Sequence, residues 1–573
     1  MLREETENGL SRRDFLKDVG LVFGGAAAAT TVGVCITQST PLAHAQDGND
    51  TSGMSESVKP IPPAEVPANW DFETDVVVCG GGMSGLMTSC KAVNYGAKVI
   101  TLEKNGIPGG DGQWAEATLG DYITIPVLKD FLRTDENMLS PKDGKNHRLQ
   151  VKMQQRWQSM LDFWDSMGVV RTRNVNALNG YGALMPYMEY YQENFQGSSE
   201  FYEPAVPESL EYPNDIHRWH PHEARGYTNA MYWYAQNNGA DIKLSTPVKT
   251  LVLDGGRVVG VKAHDKKDDK DLFIKAKTVV LATGGLIGNN DMFEYYVPPE
   301  KRKFVAKYAG MPSAEGDGIR MAQGVGAFVE EMGEFDIWDG GANDPHYANG
   351  PRAVYNAANQ LARQKSLSVN KLGKRFTDEA RYAGNCYTYN GFQKVYQLDA
   401  TSFTLFDANC IKKEDILSKF DPMACEEPVP WFDEDFERQL AEGIIMKANS
   451  IEELAKLMEV DGTVLKETVD RYNSMAEKGE DTDMAKQPKY LVPIKAAPFY
   501  AVKEVGGIYW HHGGGMVYNE NLQVVDEYWQ PIPGLYCAGQ NGRALCQIAN
   551  AAGSGFLAGE NAAREALGDP VEF

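Results

Sequence analysis

Apolar and polar positions follow a regular order between Asp75 and Glu103. An apolar run at Asp75–Cys79 predicts a short buried strand, and Leu86–Tyr95 carries a helical pattern that stops at Gly96. A second apolar run follows at Lys98–Leu102. A buried strand, a helix and another strand in this order predict a βαβ unit within a parallel sheet.

Other patterns extend this α/β organisation along the chain. Alternating positions predict strands at Asp241–Leu244, Val248–Leu253 and Val258–Ala263, with a hairpin turn at Asp254–Gly256. The remaining predicted elements are a strand entering a glycine turn at Thr278–Gly285, helices at Ile451–Met458 and Val464–Glu477, a buried strand at Ile532–Gly539, and a helix from about Gly553 to Leu567.

Three glycines separate the first predicted strand from its helix. Gly80, Gly82 and Gly85 have the spacing G-x-G-x-x-G. In dinucleotide-binding folds the first glycine allows a tight turn, the second lets the backbone approach a pyrophosphate, and the third lets helix and strand pack closely. Glu103, at the end of the second strand, can accept hydrogen bonds from a ribose 2′-hydroxyl. The alternative is a glycine-rich turn without a ligand, but both strands and the acid favour a nucleotide site.

The N-terminal residues predict export. Ser11–Lys17 has the form of a twin-arginine signal, and a weakly apolar stretch at Val19–Ile36 follows it. Ala43 and Ala45 supply the small residues that a signal peptidase requires. We therefore expect residues 1–45 to be a cleaved signal peptide that takes the protein to the periplasm or the cell-surface side of the membrane. Residues 46–69, rich in Ser, Pro, Glu and Asp, are expected to be a disordered linker.

Charge and cysteine usage exclude several classes of protein. The net charge of −23 argues against nucleic acid or an anionic membrane surface as a partner. The eight cysteines are scattered, without a haem-attachment motif or an iron–sulfur ligand run. We expect no metal site, and electrons must come from another molecule.

Several glycine elements together resemble the flavoprotein family of the fumarate reductases and succinate dehydrogenases. They are Gly80–Gly85, Ala282–Gly285, Ala314–Gly318, Met321–Ala327, Ser368–Glu379 and Gly534–Gly539. The resemblance covers about residues 75 to 570. It implies an α/β fold in which a Rossmann-like FAD-binding domain, at 70–335 and 506–573, is split by an inserted α+β capping domain at 336–505.

The resemblance also implies that the cofactor is FAD. Members that attach FAD covalently place a His shortly after the Gly109–Asp111 turn; Gly112–Thr118 contains none, so we expect non-covalent FAD. The residues expected to contact FAD are Gly80, Gly82, Met83, Ser84, Gly85, Glu103, Lys104, Gly110, Asp111, Thr283, Gly284, Asp317, Gly539 and Gly555.

The family oxidises or reduces a carbon–carbon bond beside an electron-withdrawing group. FAD carries the hydride, and a protein acid protonates the neighbouring carbon. By resemblance, the acid is Tyr382, as in related 3-ketosteroid dehydrogenases, or Arg381; Tyr387 and Tyr389 are nearby rivals. His511 resembles the His that faces substrate, and Glu379 either holds the catalytic loop, relays protons or is simply ion-paired.

One departure from the fumarate enzymes narrows the substrate. Their second carboxylate clamp is an Arg after an Ala-Asn pair, whereas Ala549–Asn550 is followed here by Ala551 and Ala552. Without the bidentate guanidinium, a dicarboxylate loses its natural partner. Fumarate and succinate are therefore disfavoured as substrates. Aromatic residues concentrated between Tyr181 and Tyr234 either pack internally or line a site for an aromatic substrate.

Three functions remain open from the sequence. The first is an exported FAD-dependent reductase that saturates a C=C bond conjugated to a carbonyl in a neutral or aromatic enone or enoate. The second is a ketosteroid-type dehydrogenase working in the oxidative direction, and the third is a non-catalytic flavin electron carrier. For the reductase, a separate cytochrome, quinol-linked protein or reduced flavin must donate the electrons, as in anaerobic respiration.

Overall fold

The computed structural model describes residues 54–113, 147–168, 170–173, 202–205, 224–302, 305–308, 310–338, 344–347, 358, 366–379, 393–394, 396–409, 432–486, 488–543 and 548–571. The helices in these ranges are α1 Met83–Tyr95, α2 His147–Ser166, α3 Ala224–Asn237, α4 Asn290–Tyr296, α5 Pro299–Arg302, α6 Asp317–Gly324, α7 Phe432–Ala441, α8 Ile451–Met458, α9 Gly462–Lys478 and α10 Ile548–Leu567.

The strands follow the same chain order. They are β1 Phe72–Cys79, β2 Val99–Leu102, β3 Val170–Arg173, β4 Tyr202–Ala205, β5 Asp241–Lys243, β6 Val248–Asp254, β7 Arg257–Asp265, β8 Lys270–Leu281, β9 Val305–Tyr308, β10 Val329–Glu330, β11 Phe335–Trp338, β12 Leu367–Asn370, β13 Thr401–Asp407, β14 Ile445–Ala448, β15 Phe499–Val505, β16 Gly507–His512, β17 Gly515–Met516, β18 Gln523–Val525 and β19 Pro531–Cys537.

The main sheet has eight strands. Strands β19, β8, β1, β2 and β5 lie side by side and parallel, and β18 adds an antiparallel edge. The N-terminal half of β8 also pairs, in antiparallel orientation, with β7, and β7 forms a hairpin with β6. Helices α1 and α10 pack on this sheet and join its strands in the largest hydrophobic core. The predicted α/β class and the βαβ unit of β1, α1 and β2 are confirmed; α10 begins at Ile548, earlier than expected.

A second core lies in the part of the chain expected to form the capping domain. Strands β12, β13, β15 and β14 form an antiparallel sheet in that order. Helices α8 and α9 cover one of its faces with buried side chains that include Leu454 and Tyr472. A separate three-stranded sheet of β11, β16 and β9 joins the start of this part of the chain, at β11, to β16, which follows it.

The predicted disordered linker is wrong for residues 54–69. Val58 is 2% exposed, the Ile61 N–H donates to the Arg320 carbonyl at 2.9 Å, and Ala64 forms a bridge to Val252 of β6. Polar composition favoured disorder, but Val58 and Ile61 supply enough apolar surface to pack, and the edge of β6 offers free backbone groups. None of the helices in the described ranges is long and apolar enough to cross a membrane.

Helices α1 and α10 approach closely enough for their backbones to touch at two glycines. A Cβ added at Gly555 would lie 2.4 Å from the Ser84 carbonyl oxygen, and one at Gly559 would lie 2.5 Å from that of Thr88. These distances are shorter than any van der Waals contact. The two glycines therefore set how closely the last helix approaches the first, and Gly555, expected to contact FAD, lies at this helix crossing.

We expect Gly559→Ala to lower the free energy of unfolding by about 1–3 kcal/mol, because the methyl group overpacks a backbone contact. The measurement is urea denaturation of the FAD-bound protein. Gly462→Ala in α9 is the matched control, since its Cβ would lie 3.6 Å from Ala455 Cβ, an ordinary contact. A Gly559→Ala protein as stable as the control would contradict the proposed close approach.

Candidate functional site

The glycine turn after β1 is held by the neighbouring strands. The Gly80 N–H donates to the Leu102 carbonyl and the Ala282 N–H to the Cys79 carbonyl, both at 2.8 Å. Gly80 has φ +111°, and a Cβ there would lie 2.2 Å from the Ala282 oxygen. A Cβ on Gly85 would lie 1.9 Å from the Gly80 oxygen. The turn and packing roles predicted for these two glycines fit this geometry.

The middle glycine and the start of α1 leave space for a ligand. A Cβ on Gly82 would meet only the backbone of Gly109 and Gly110, at 3.8 and 3.9 Å. Gly82 is also the N-cap of α1 and supplies no capping side chain. The first-turn N–H groups of a helix have no intrahelical acceptor, so this end of α1 can receive a pyrophosphate. Met83 and Ser84, both buried, stand in this first turn.

Glu103 lies at the carboxyl end of β2 with 4% of its surface exposed. Its Oε2 accepts from the Gly81 N–H and its Oε1 from the Asn105 N–H, each at 2.7 Å. Burial raises the pKa of this carboxyl, although the two N–H groups favour its ionised form. The carboxylate is thus fixed beside the glycine turn, and its remaining lone pairs can accept from a ribose hydroxyl.

Lys104 and Asp317, predicted separately, contact each other. Lys104 Nζ lies 2.8 Å from Asp317 Oδ2 and 2.9 Å from Glu315 Oε2. Burial alone would lower the pKa of Lys104, but the two carboxylates raise it above its usual value. These contacts join the loop after β2 to the start of α6. The positive charge of Lys104 is therefore largely neutralised within the protein by Asp317 and Glu315.

The Gly109–Asp111 turn closes over the first glycine turn. The Gly109 N–H donates to the Gly81 carbonyl at 2.7 Å, and a Cβ on Gly110 would lie 3.2 Å from Gly82 Cα. Asp111 Oδ1 accepts from the Met311 N–H at 2.6 Å. The hydrogen bond of Asp111 therefore fixes this turn. Gly109 and Gly110, which have no side chains, lie beside Gly82.

Asn541 is a buried contact residue that the sequence reasoning missed. With its amide oriented to satisfy both ends, it donates to Thr283 Oγ1 at 2.8 Å and to the Gly284 carbonyl at 3.2 Å, and accepts from the Thr283 N–H at 2.8 Å. The Gly318 N–H donates to the same Thr283 hydroxyl at 3.0 Å. Asn541 follows the predicted Gly539 turn directly, which was the available signal.

Ser84 and Gly539 are adjacent, as a shared cofactor site requires. Gly539 has φ +66°, and a Cβ there would lie 2.3 Å from Ser84 Oγ. The Gly539 N–H donates to Ser554 Oγ of α10 at 3.0 Å. The first and last glycine elements of the chain therefore form one surface.

His511 lies in β16, opposite Asp336 of β11; its side chain is outside the described residues. The glycine run that follows β16 contacts the turn after β19, since a Cβ on Gly515 would lie 2.5 Å from the backbone carbonyl oxygen of Asn541. The Arg543 N–H donates to the Met516 carbonyl at 3.0 Å. The strand that carries His511 thus leads directly into the expected FAD surface.

Arg543 was also missed by the sequence reasoning. Its side chain is 5% exposed and contacts Glu330 and Glu331 beside the β10–β17 pair. A guanidinium between two carboxylates neutralises charge that burial would otherwise make costly.

Glu379 belongs to a buried cluster of charges. Its Oε1 and Oε2 accept from Arg375 Nε and Nη2 at 3.0 and 2.8 Å, and Lys486 Nζ lies 3.2 Å from Oε2. Oε1 also accepts from the Ser368 N–H at 3.0 Å. Burial opposes ionisation, but Lys486 and Arg375 lower the pKa of Glu379. The ion-paired alternative fits better than proton relay, because both oxygens are occupied.

The predicted acids Tyr382 and Arg381, with Tyr387 and Tyr389, lie outside the described residues, as does most of the aromatic segment before Tyr227. The structure fixes Glu379, which directly precedes them. The described FAD-contact predictions gather at the carboxyl ends of β1, β2, β8 and β19, apart from Gly555 at the helix crossing.

We expect Glu103→Gln to weaken FAD binding by roughly 10-fold or more, since an amide cannot accept from both N–H groups and leaves one unsatisfied. The measurement is FAD retained after gel filtration, with the dissociation constant from flavin fluorescence. Glu73→Gln is the control, because Glu73 is an exposed carboxylate of β1 that pairs with Lys275 of β8, away from the carboxyl ends of these strands. Equal retention of FAD by both variants would show that Glu103 does not contribute to FAD binding.

The open backbone at Gly82, the uncapped α1 and the Glu103 carboxylate fit FAD, and the comparisons agree. A family model described as an FAD binding domain matches residues 75–557. Vinyl phenol reductase of Lactiplantibacillus plantarum is 26% identical over 86% of this chain and 96% of its own length. Urocanate reductase of Eggerthella lenta is 26% identical over 98% of this chain and 87% of its own length.

A solved structure supports the same fold. The open conformation of a flavocytochrome c3 fumarate reductase superposes with a TM-score of 0.60 at 22% identity, covering 87% of this chain and 80% of that one. The resemblance predicted from the glycine elements is confirmed. The chain belongs to the flavoprotein family that carries this FAD-binding domain, and it is an FAD-dependent oxidoreductase.

Proposed function

We propose that this protein is an exported reductase that saturates a C=C bond conjugated to a carbonyl in a neutral or aromatic substrate. The observation that carries this proposal is the start of α10. Ala552 is fully buried, and Ala551 Cβ would lie 4.0 Å from a Cβ on Gly539. Two small apolar side chains therefore stand beside the expected FAD site where fumarate enzymes place an Arg, and neither of them can pair with a carboxylate.

The relatives support reduction of a carbon–carbon double bond. Two proteins that share about a quarter of this sequence over most of its length are a vinyl phenol reductase and a urocanate reductase. Both are named as reductases of unsaturated compounds, which favours the reductive direction over a ketosteroid-type dehydrogenase.

The proposed roles of the chain's residues are those that the family resemblance implies. FAD, when bound, would supply the hydride, and we propose that the protein holds it without a covalent link. Tyr382, with Arg381 as the second choice, protonates the neighbouring carbon. His511 contacts the activating group of the substrate, since its strand leads to the Gly515–Asn541 contact. Glu379, ion-paired and buried, fixes the chain directly before Arg381.

We expect Tyr382→Phe to slow reoxidation of the reduced protein by a conjugated substrate by roughly 10²- to 10⁴-fold, the usual loss for a general acid. The measurement is anaerobic stopped-flow absorbance of the flavin with a panel of vinyl phenols, aromatic enoates, steroid enones and fumarate. Arg381→Met is tested in parallel, and Tyr396→Phe, 65% exposed, is the control.

The panel separates the possible functions. Reoxidation by fumarate alone would contradict the neutral-substrate proposal. Bleaching of the oxidised protein by saturated ketosteroids, with no reaction of the reduced form, would assign the dehydrogenase. No reaction of the flavin in either direction would favour an electron carrier. Unchanged rates of flavin reoxidation in both Tyr382→Phe and Arg381→Met would exclude these two residues as the acid.

We also propose export through the twin-arginine pathway and reduction by a separate donor, a cytochrome, a quinol-linked protein or reduced flavin. Replacing Arg12 and Arg13 together by Lys should keep the protein in the cytoplasm, because Lys does not reproduce the planar guanidinium. Cell fractionation with FAD fluorescence measures this, and Arg3→Lys is the control. Normal export of the double variant would refute the proposed signal.

A further inference from the structure

The four-stranded sheet has two buried faces, and one of them carries a cluster of polar side chains beside apolar ones such as Phe406 and Val502. Side chains alternate between the faces of a strand. Leu367, Val369, Phe403 and Leu405 face the core under α8 and α9. The opposite face carries Ser368, Ser402, Thr404 and Glu504, each no more than 2% exposed. A buried polar sheet face needs partners, because each unpaired polar group costs free energy.

One partner of this polar cluster is a buried ion pair. Lys394 Nζ donates to Glu504 Oε1 at 2.8 Å, and the Thr404 hydroxyl donates to Glu504 Oε2 at 2.7 Å. A second buried carboxylate binds the same sheet at another strand: the backbone N–H of Ser368, which is paired with Thr404, donates to Glu379 Oε1. Glu379 is therefore bound to β12, whereas Glu504 belongs to β15.

These two carboxylates hold the two ends of one chain segment. Glu379 is fixed by Arg375 and Lys486, and Glu504 by Lys394. Residues 380–392, which connect Glu379 to Lys394 and its neighbour Gln393, contain Tyr382 and Arg381 and lie outside the described residues. Both ends of the segment that carries the proposed acid are therefore tied to the same four-stranded sheet, the upstream end at β12 and the downstream end at β15.

Stability alone is a weak reason for the second ion pair. The Lys394 and Glu504 side chains are 5% and 2% exposed. Removing two charges from water costs about as much as their attraction returns, and apolar residues of similar size often serve as well. A buried ion pair does fix geometry, because each charge has only one position where it is satisfied.

We propose that Lys394 and Glu504 are positioning residues: they hold the downstream end of the acid-bearing segment as Glu379 and its partners hold the upstream end. This inference rests on the proposed function, because the segment matters to the reaction only through Tyr382 or Arg381. Lys394 acts through the chain and not on the substrate.

The test uses the FAD-bound protein and two readouts. Lys394→Met and the double variant Lys394→Met, Glu504→Gln, which leaves no unpaired buried charge, are compared with the wild type. Lys394→Arg tests rescue. The control is Lys371→Met, which removes an exposed ion pair with Asp399 in the same sheet region. Hydrogen exchange of peptides within 380–392 reports the anchor, and reoxidation of reduced flavin by substrate reports catalysis.

We expect both Met variants to raise exchange in 380–392 by about tenfold or more. We also expect the maximal rate of reoxidation to fall by about 10- to 100-fold, as for a misplaced catalytic group, with a smaller change in KM. Lys394→Arg should restore most of both, and Lys371→Met should change neither.

Two outcomes would overturn the inference. Unchanged exchange in the double variant would show that the ion pair does not hold the segment. Raised exchange with an unchanged reoxidation rate would show an anchor without a catalytic role. If the wild type reduces no unsaturated substrate, the proposed function fails instead, and the exchange result still decides whether the anchor exists.

Discussion

The site depends on a contact between two backbones that tolerates no side chain. At the carboxyl ends of β1 and β8, a Cβ on Gly80 would lie 2.2 Å from the Ala282 carbonyl oxygen, and one on Gly85 would lie 1.9 Å from that of Gly80. Any larger residue would separate α1 from the strand ends. Because these glycines lie together, the turn, the start of α1 and Glu103 converge where ligands bind in open α/β sheets.

Two buried glutamates show how one side chain serves different purposes. Glu103 accepts two backbone N–H groups, and burial raises its pKa. Glu379 lies between Lys486 and Arg375, which lower its pKa although burial alone would raise it. The first environment leaves lone pairs for a neutral hydroxyl partner. The second fixes a permanent charge that can hold a chain segment in place.

Local patterns predicted the framework well because each depends on nearby residues. The strand–helix–strand unit, the β6–β7 hairpin and the bounds of α8 follow from periodicity and turn residues. Asn541 and Arg543 were missed because their partners, Thr283 and Glu330, are distant in sequence, and only the Gly539 turn before Asn541 gave a local signal. Residues 54–69 were misjudged for a related reason: their order comes from β6 and α6, which composition does not reveal.

The contact of α10 with α1 has a consequence for when the site can form. Gly539, Asn541 and α10 are synthesised long after Ser84 and Thr283, yet they complete a surface begun by those two residues. Until β19 and α10 are synthesised, β8 lacks the second of its two parallel neighbours and α1 lacks its cover. A nascent chain therefore cannot complete this pocket from its first elements alone, and FAD capture has to wait for the synthesis of β19 and α10.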